Sequence, residues 1–377
     1  MLRFAKISAQ IILFLLLALA LGRILPLPAL RSDFMSLYHA LAGWRAGASF
    51  YDFAAQYQLI LKTAPGISIE QYPYFPYPAW YGGTFFFLAF LPFDWAYRTW
   101  TILNLGMLAL SAHLLSTDLD KRTRLFALIA FILFFPSVGL IGVGNYTLPV
   151  LLGGALFVYA ARKEDAPLAA LALALLTFKP HIGFIIALSG FVWLMTQKTN
   201  FARRARNLTF IAALILAGIG FAIEPRWPLT FPQSILTWQA SPYIHACSYC
   251  GNLATMLARV SGDVSTYAVS GVLLLLAITL AYAWRKNISD NPAALISLSA
   301  ALTGFVLPYM VNYDYVILLI PLTYAFTHSA SPKIRAALIA LYLLPWLSFV
   351  AGRASGNVIL ALTGLTLFLL LLTRTKE

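Results

Sequence analysis

The chain is 377 residues long, 61% hydrophobic and only 10% charged. Soluble domains carry about 25% charged residues, so this chain lacks the charge to cover a soluble surface of its size, and its apolar excess is read as facing lipid. The net charge of +13 is read as membrane topology rather than nucleic-acid binding. The two cysteines, Cys247 and Cys250, exclude a disulfide-rich scaffold and any four-cysteine zinc or iron–sulfur centre.

A spanning helix takes roughly 20 apolar residues. The first such run covers 7–27, behind Arg3 and Lys6, and is read as an uncleaved signal-anchor because many hydrophobic runs follow it. An amphipathic stretch at 28–78 carries Arg31, Asp33, Arg45, Asp52, Lys62 and Glu70. It ends in Tyr72-Pro73-Tyr74-Phe75-Pro76-Tyr77-Pro78. Proline removes helix donors and restricts the residue before it, so this run predicts a non-helical elbow, placed at the interface where Tyr accumulates. The apolar piece 79–91 stops at Pro92 and is short for a crossing; it predicts a re-entrant or half-membrane helix. Eleven apolar runs follow, at 95–115, 124–140, 145–161, 166–178, 180–197, 207–223, 265–284, 292–307, 313–328, 334–350 and 357–373. With the first, they predict an all-α polytopic membrane protein, one domain of about twelve transmembrane helices.

Cytoplasmic loops collect Lys and Arg. With the N-terminus inside and 79–91 not crossing, the inside loops hold 17 of the 26 basic residues, in the clusters at 3–6, 121–124, 162–163, 198–206, 285–286, 333–335 and 374–376. The 28–78 loop, a second loop at 224–264, and the short turns around Asn145, Lys179 and Asn312 then share the outer side. That shared side gathers the unusual polar residues.

Each has a plain role and a chemical one. Asp33 follows the first helix and suits a helix start; beside a membrane it also suits a general base. Lys179 sits at a break between two apolar runs, where an ionisable side chain either snorkels to the headgroups or marks a functional site. Arg259 suits a phosphate clamp or a lipid headgroup contact; Arg31, Arg45 and Arg98 are weaker candidates of that kind. His181 lies beside Lys179, and His245 is also outside. Asp314 opens a helix, favoured there by the dipole, or supplies a second carboxylate. Cys247 and Cys250 fit either a local disulfide or two free thiols. The outer loops hold no Asp-x-Asp pair, so a metal-independent site is predicted.

The order of several motifs carries a resemblance. The stretch Asp33-Phe34, Tyr38-His39-Ala40, Gly43-Trp44, Gly47 and Phe50-Tyr51-Asp52 resembles the first outer loop of glycosyltransferase family 87. The elbow ending Tyr77-Pro78, the tract Phe90-Leu91-Pro92 through Ala96, Trp100 and Leu103-Asn104, and Phe178-Lys179-Pro180 are similar to further family segments. Gly144-Asn145-Tyr146-Thr147 stands where the family has Gly-Gln-x-Asn, and Gly251-Asn252 with Arg259 resembles its Asn-Gln-Ser and Arg segment. Tyr313-Asp314 stands where many members have a His pair. The resemblance runs from 10 to about 330.

This family contains polyprenol-phosphate-mannose-dependent mannosyltransferases of the GT-C superfamily. The resemblance implies a GT-C bundle in a bacterial inner membrane, with loop helices and an active site on the periplasmic face. It implies transfer of mannose or a similar hexose from a polyprenyl-phosphate donor to a lipid or glycan acceptor, with inversion. In that reading Asp33 is the base; Lys179, Arg259 and His181 hold the donor phosphate; Asn145, Asn252, Tyr313, Asp314 and Tyr38 bind substrate. Membrane lipids are the other expected partners, and no nucleic acid is. The rival readings are a transporter or flippase of lipid-linked precursors and a non-catalytic subunit of an envelope-assembly complex. Against a transporter stand the absence of repeated halves and the gathering of polar residues at one surface rather than at the midplane.

Overall fold

Caps and prolines cut this chain at the ends of its apolar runs. In the computed structural model, residues 33–72, 74–240, 291–307, 310–348 and 353–374 are described, with isolated helical positions between 270 and 278. The described residues are helical or irregular, with no strand among them.

The outer loop folds first as α1 (Asp33–Arg45) and α2 (Phe53–Thr63). Asp52 caps α2 by accepting from Ala55 N at 2.9 Å, the role short acidic side chains fill at a helix start. The Tyr-Pro elbow is non-helical where it is described, as its prolines require. Its neighbour, the 79–91 piece, becomes a short helix α3 (Ala79–Thr84) and a 3-10 turn at Phe86–Phe90. At 1.5 Å per residue α3 is only about 9 Å long, well short of the roughly 30 Å of a bilayer core. It packs instead against the last turns of α10.

The body follows as α4 (Phe93–Leu115), α5 (Lys121–Leu133), α6 (Phe135–Val143), α7 (Leu148–Lys163), α8 (Ala166–Leu176), α9 (Pro180–Thr196) and α10 (Asn200–Ile223). After α10 come α11 (Trp227–Gln239), α12 (Pro292–Val306), α13 (Leu319–Thr327), α14 (Pro332–Leu343) and α15 (Arg353–Arg374). At the centre, α7 is buried around nearly its whole circumference, the mark of a helix apolar on every face. It packs on α4, α8, α9, α12 and α13.

Several expected spans change. The 124–140 run is two helices meeting at 57°. Phe134 is extended and Pro136 lies in the first turn of α6, where its fixed φ and missing donor start a new helix rather than continue the old one. The 313–328 run opens as a 3-10 turn, Asn312–Leu318, before α13. The 334–350 run is α14 followed by a 3-10 turn at Leu344–Trp346. The 207–223 run begins earlier, at Asn200, because Thr199 caps it. The 224–264 loop contains the helix α11. Among the described residues α10 is long and apolar enough to cross a membrane, as are α5 and α6 taken together, while α8, α9, α12 and 358–372 of α15 are apolar but shorter. These helices are consistent with a helical membrane protein; the count of twelve crossings stays an expectation of the sequence. The 7–27 run lies outside the described residues, as does nearly all of 265–284.

Candidate functional site

Three breaks in the helices and the first described turn of α1 deliver the site. The first is at Gly144, which ends α6 in the left-handed region at φ 65°, ψ 37°. That conformation favours glycine, and a Cβ there would come within 2.8 Å of the Phe34 Cβ. Trp100 Nε1 donates to the Gly144 carbonyl at 2.8 Å, so the turn is held from outside and Asn145 is aimed inward. The second break is Phe178-Lys179-Pro180. A residue before proline is driven out of the helical region, and Lys179 sits at φ −123°. A Cβ on Gly183 would lie 1.8 Å from the Leu176 carbonyl, so only glycine there lets α9 start hard against the end of α8. The third is the 3-10 turn carrying Asp314. The fourth point is the first described turn of α1, which carries Asp33.

These four points converge. Asn145 Nδ2 donates to Asp33 Oδ2 at 2.7 Å. The other face of the same amide, Oδ1, accepts from the Thr147 N–H at 3.0 Å and from Lys179 Nζ at 3.3 Å. Lys179 Nζ pairs with Asp314 Oδ1 at 2.5 Å and donates to Thr147 Oγ1 at 3.0 Å. The Thr147 hydroxyl is 2.6 Å from Asp314 Oδ1 and 2.7 Å from Asn145 Oδ1; with one proton it donates to one of them at a time. Asp314 Oδ2 accepts from the Val311 N–H at 3.1 Å. Asp314 therefore caps the 3-10 turn with one oxygen and holds the Lys179 ammonium with the other.

Lys179 is 2% exposed and Asp314 1%, so Lys179 does not snorkel. Its ammonium also lies 5.6 Å from the ring centres of both Tyr77 and Tyr313, within range of cation–π attraction. Burial raises the Asp33 carboxyl above its ordinary value; hydrogen bonds from Asn145 and Tyr313 and the Lys179 charge oppose this, and the Asp314 charge adds to it. Ser36, one turn along α1 on the same face, donates to the Asp33 carbonyl at 2.7 Å and contacts the Tyr146 hydroxyl. Burial first, and the Asp33 charge second, keep that phenol protonated. Between these groups lies a cavity of about 20 Å³, walled by Asp33, Lys179, Asp314, Tyr74, Tyr77 and Trp238 among others. That is room for about one water molecule.

Of the residues singled out by sequence, Asp33, Asn145, Lys179, Tyr313 and Asp314 meet here. His181 lies just outside, stacked on Tyr77 at 6.1 Å. Tyr38 is turned away, its hydroxyl donating to the Leu91 carbonyl at 2.9 Å. Arg45 donates to the Ala89 carbonyl at 2.7 Å and covers the Phe90 ring, and Arg98 lies over Trp95. Arg31, His245, Cys247, Cys250, Asn252 and Arg259 lie outside the described residues. Ser36, Tyr77 and Tyr146 were not expected. Ser36 was findable from its i, i+3 spacing to Asp33, whereas the tyrosines are lost in a chain with 19 of them.

A buried lysine–carboxylate pair and a second, separately held carboxylate form one polar cluster at one end of an apolar helical bundle. The sequence model of glycosyltransferase family 87 matches residues 75–311, more than half of the chain, and the chain belongs to that family. It is therefore a sugar-transferring enzyme. The match includes Asn145, Lys179, His181, Asn252 and Arg259, and leaves Asp33, Tyr38, Tyr313 and Asp314 outside it, a narrower span than the motifs suggested. No curated protein matches the chain.

Proposed function

We propose that the chain transfers a hexose, mannose or one like it, from a polyprenyl-phosphate donor to a lipid or glycan hydroxyl, with Asp33 as the base. The observation that carries this is the unequal treatment of the two carboxylates. Asp314 is committed to Lys179 and to a backbone N–H, while Asp33 is held by neutral donors and, among the described residues, pairs with no cation. A base must be free to take a proton, and a raised value brings its basicity nearer to neutral pH.

In the proposed step the acceptor hydroxyl gives its proton to Asp33 while its oxygen bonds to the anomeric carbon. The bond from that carbon to the donor phosphate breaks, and polyprenyl phosphate leaves with the electron pair. Attack opposite the leaving group inverts the anomeric centre. Lys179 neutralises the departing phosphate, aided by Arg259, and the reaction runs without a metal. Asn145 holds the Asp33 carboxylate and is itself held by Thr147 and Lys179, so base and cation sit on one rigid scaffold. A 20 Å³ cavity holds no sugar, so substrate binding displaces the wall of Tyr74, Tyr77 and Trp238. The outer-face placement is part of the same reading and rests on the basic loop clusters.

The test is purified protein given polyprenyl-phosphate hexoses and a lipid acceptor. Asp33→Asn should keep the melting profile and lose transfer by about 10²–10⁴-fold. Full activity in that variant sinks the assignment. Movement of intact donor across a vesicle without turnover would instead support the transporter reading.

A further inference from the structure

The opposite end of the bundle holds a second site. Thr147 precedes α7 and Arg162 lies in its last turn, about 22 Å apart at 1.5 Å per residue. Around Arg162 is a cavity of about 440 Å³, formed by the ends of α4 and α7, the start of α12 and the end of α13. Its lining is mixed, with several polar side chains. Arg162 pairs with Asp118 and donates to the Leu114 carbonyl at 3.1 Å. Asn291 caps α12 and reaches the Tyr324 hydroxyl at 3.2 Å, and His328 stacks on Tyr324 at 4.3 Å. Ser297 lines the same cavity, is 1% exposed, and its hydroxyl has no hydrogen-bond partner among the described residues. A buried hydroxyl without a partner costs free energy; a polar ligand in the cavity would remove that cost.

A second hollow adjoins it. Between α5, α13 and α14 runs a groove of about 330 Å³ whose walls are almost wholly apolar. Leu119, Thr323 and Thr327 line both spaces, so the cavity and the apolar groove lie side by side. Two exposed cations lie over rings that line the groove: the Arg122 guanidinium over Phe126 at 5.8 Å and Arg335 over Phe326 at 5.6 Å. A partly polar chamber that also takes the first turn of α12, a positive rim and an apolar furrow beside it have the shape and charge of one kind of ligand. It carries a negative head and a hydrocarbon chain.

We propose that this end of the protein binds an anionic phospholipid of the adjoining leaflet, its phosphodiester head in the Arg162–Ser297 cavity under the Arg122 and Arg335 rim, and an acyl chain in the groove between α5, α13 and α14. Basic clusters near a membrane draw anionic lipid to their surface, and each buried methylene of the chain adds to binding. The site is independent of Asp33 and stands whether or not that residue is the base.

The experiment is retention of lipid by the full-length protein, measured by native mass spectrometry after exchange into detergent with phosphatidylglycerol, phosphatidylcholine or polyprenyl monophosphate. Wild-type protein should keep phosphatidylglycerol over phosphatidylcholine. Arg122→Glu with Arg335→Glu should weaken that retention about tenfold, and Ala127→Trp, which fills the groove, should abolish it while sugar transfer in detergent continues. Equal retention of the two phospholipids, or unchanged retention in the charge-reversed protein, overturns the proposal. So does preferential retention of polyprenyl monophosphate, which would make the groove a carrier-lipid site. If Ala127→Trp does not fold, the charge-reversed protein alone decides.

Discussion

Asp33 and Asp314 are both buried acids, and their partners set them apart. Because the folded site raises the Asp33 value through burial, the protonated form is favoured there, and the base form fills only as pH rises past that value. Its contribution to folding is present at low pH and is lost as pH climbs through the folded value. The acid limb of kcat/KM should therefore centre above the roughly 3.9 of an ordinary aspartate, and a limb at or below it would remove Asp33 from the role. Lys179 and Asp314 make the opposite case, two charges that tolerate burial only together. Lys179→Met should cost about 3–5 kcal/mol, since it leaves a buried carboxylate alone. Adding Asp314→Asn, which keeps a cap oxygen, should restore part of that loss; thermal unfolding of the two variants in detergent measures the difference. The type and place of Asp33, Lys179 and Asp314 were legible in the sequence because ionisable residues stand out against apolar runs. Which acid would be free was not, because that depends on a lysine 135 residues from its partner.

At the scale of elements, the breaks matter more than the helices. Pro180 and Gly183 place Lys179, and Gly144 places Asn145 between Asp33 and Lys179. Gly144→Ala should cost about 1–2 kcal/mol for the left-handed backbone alone, plus the crowding against Phe34. It should lower transfer more than stability predicts, because Asn145 holds the base. Activity measured at a temperature where the variant is fully folded separates the two effects; proportional losses would show that the turn is merely structural. The sequence marked these turns by Gly-Asn and Lys-Pro pairs. The bend between α5 and α6 was missed because Phe134, Phe135 and Pro136 lie inside one unbroken apolar run, and hydropathy does not see a proline. The helix α11 was hidden likewise, under loop residues that include Pro228 and Pro232.

At the scale of the whole molecule, the two ends of the bundle differ in character. The Asp33 end is aromatic and carries buried charges; the Arg162 end is basic and open. Sidedness is testable directly. In a protein whose own cysteines are replaced by serine, a membrane-impermeant maleimide applied to intact cells or right-side-out vesicles should label Ala46→Cys and spare Lys163→Cys. The reverse pattern would turn the protein over. The outer loop is fastened across the molecule by Glu224, beyond α10, which accepts from Ser49 Oγ at 2.5 Å and the Phe50 N–H at 3.0 Å. Nothing local in either segment announces that contact.

The class of solvent was decided by the sequence alone, because a chain with one charge in ten residues has no soluble way to hide its apolar surface. The helical class and the gathering of polar residues in a few short turns followed from the same shortage of charge. The tertiary structure decided which of those turns touch. Asp33 and Asn145 are 112 residues apart and 2.7 Å from each other, and no periodicity encodes that meeting. It is set by how α1, α6, α9 and the Asp314 turn pack against one another, a matter of side-chain shape summed over the whole bundle. The Asn145-held carboxylate, the paired lysine and the second cavity at the far end exist only at that level.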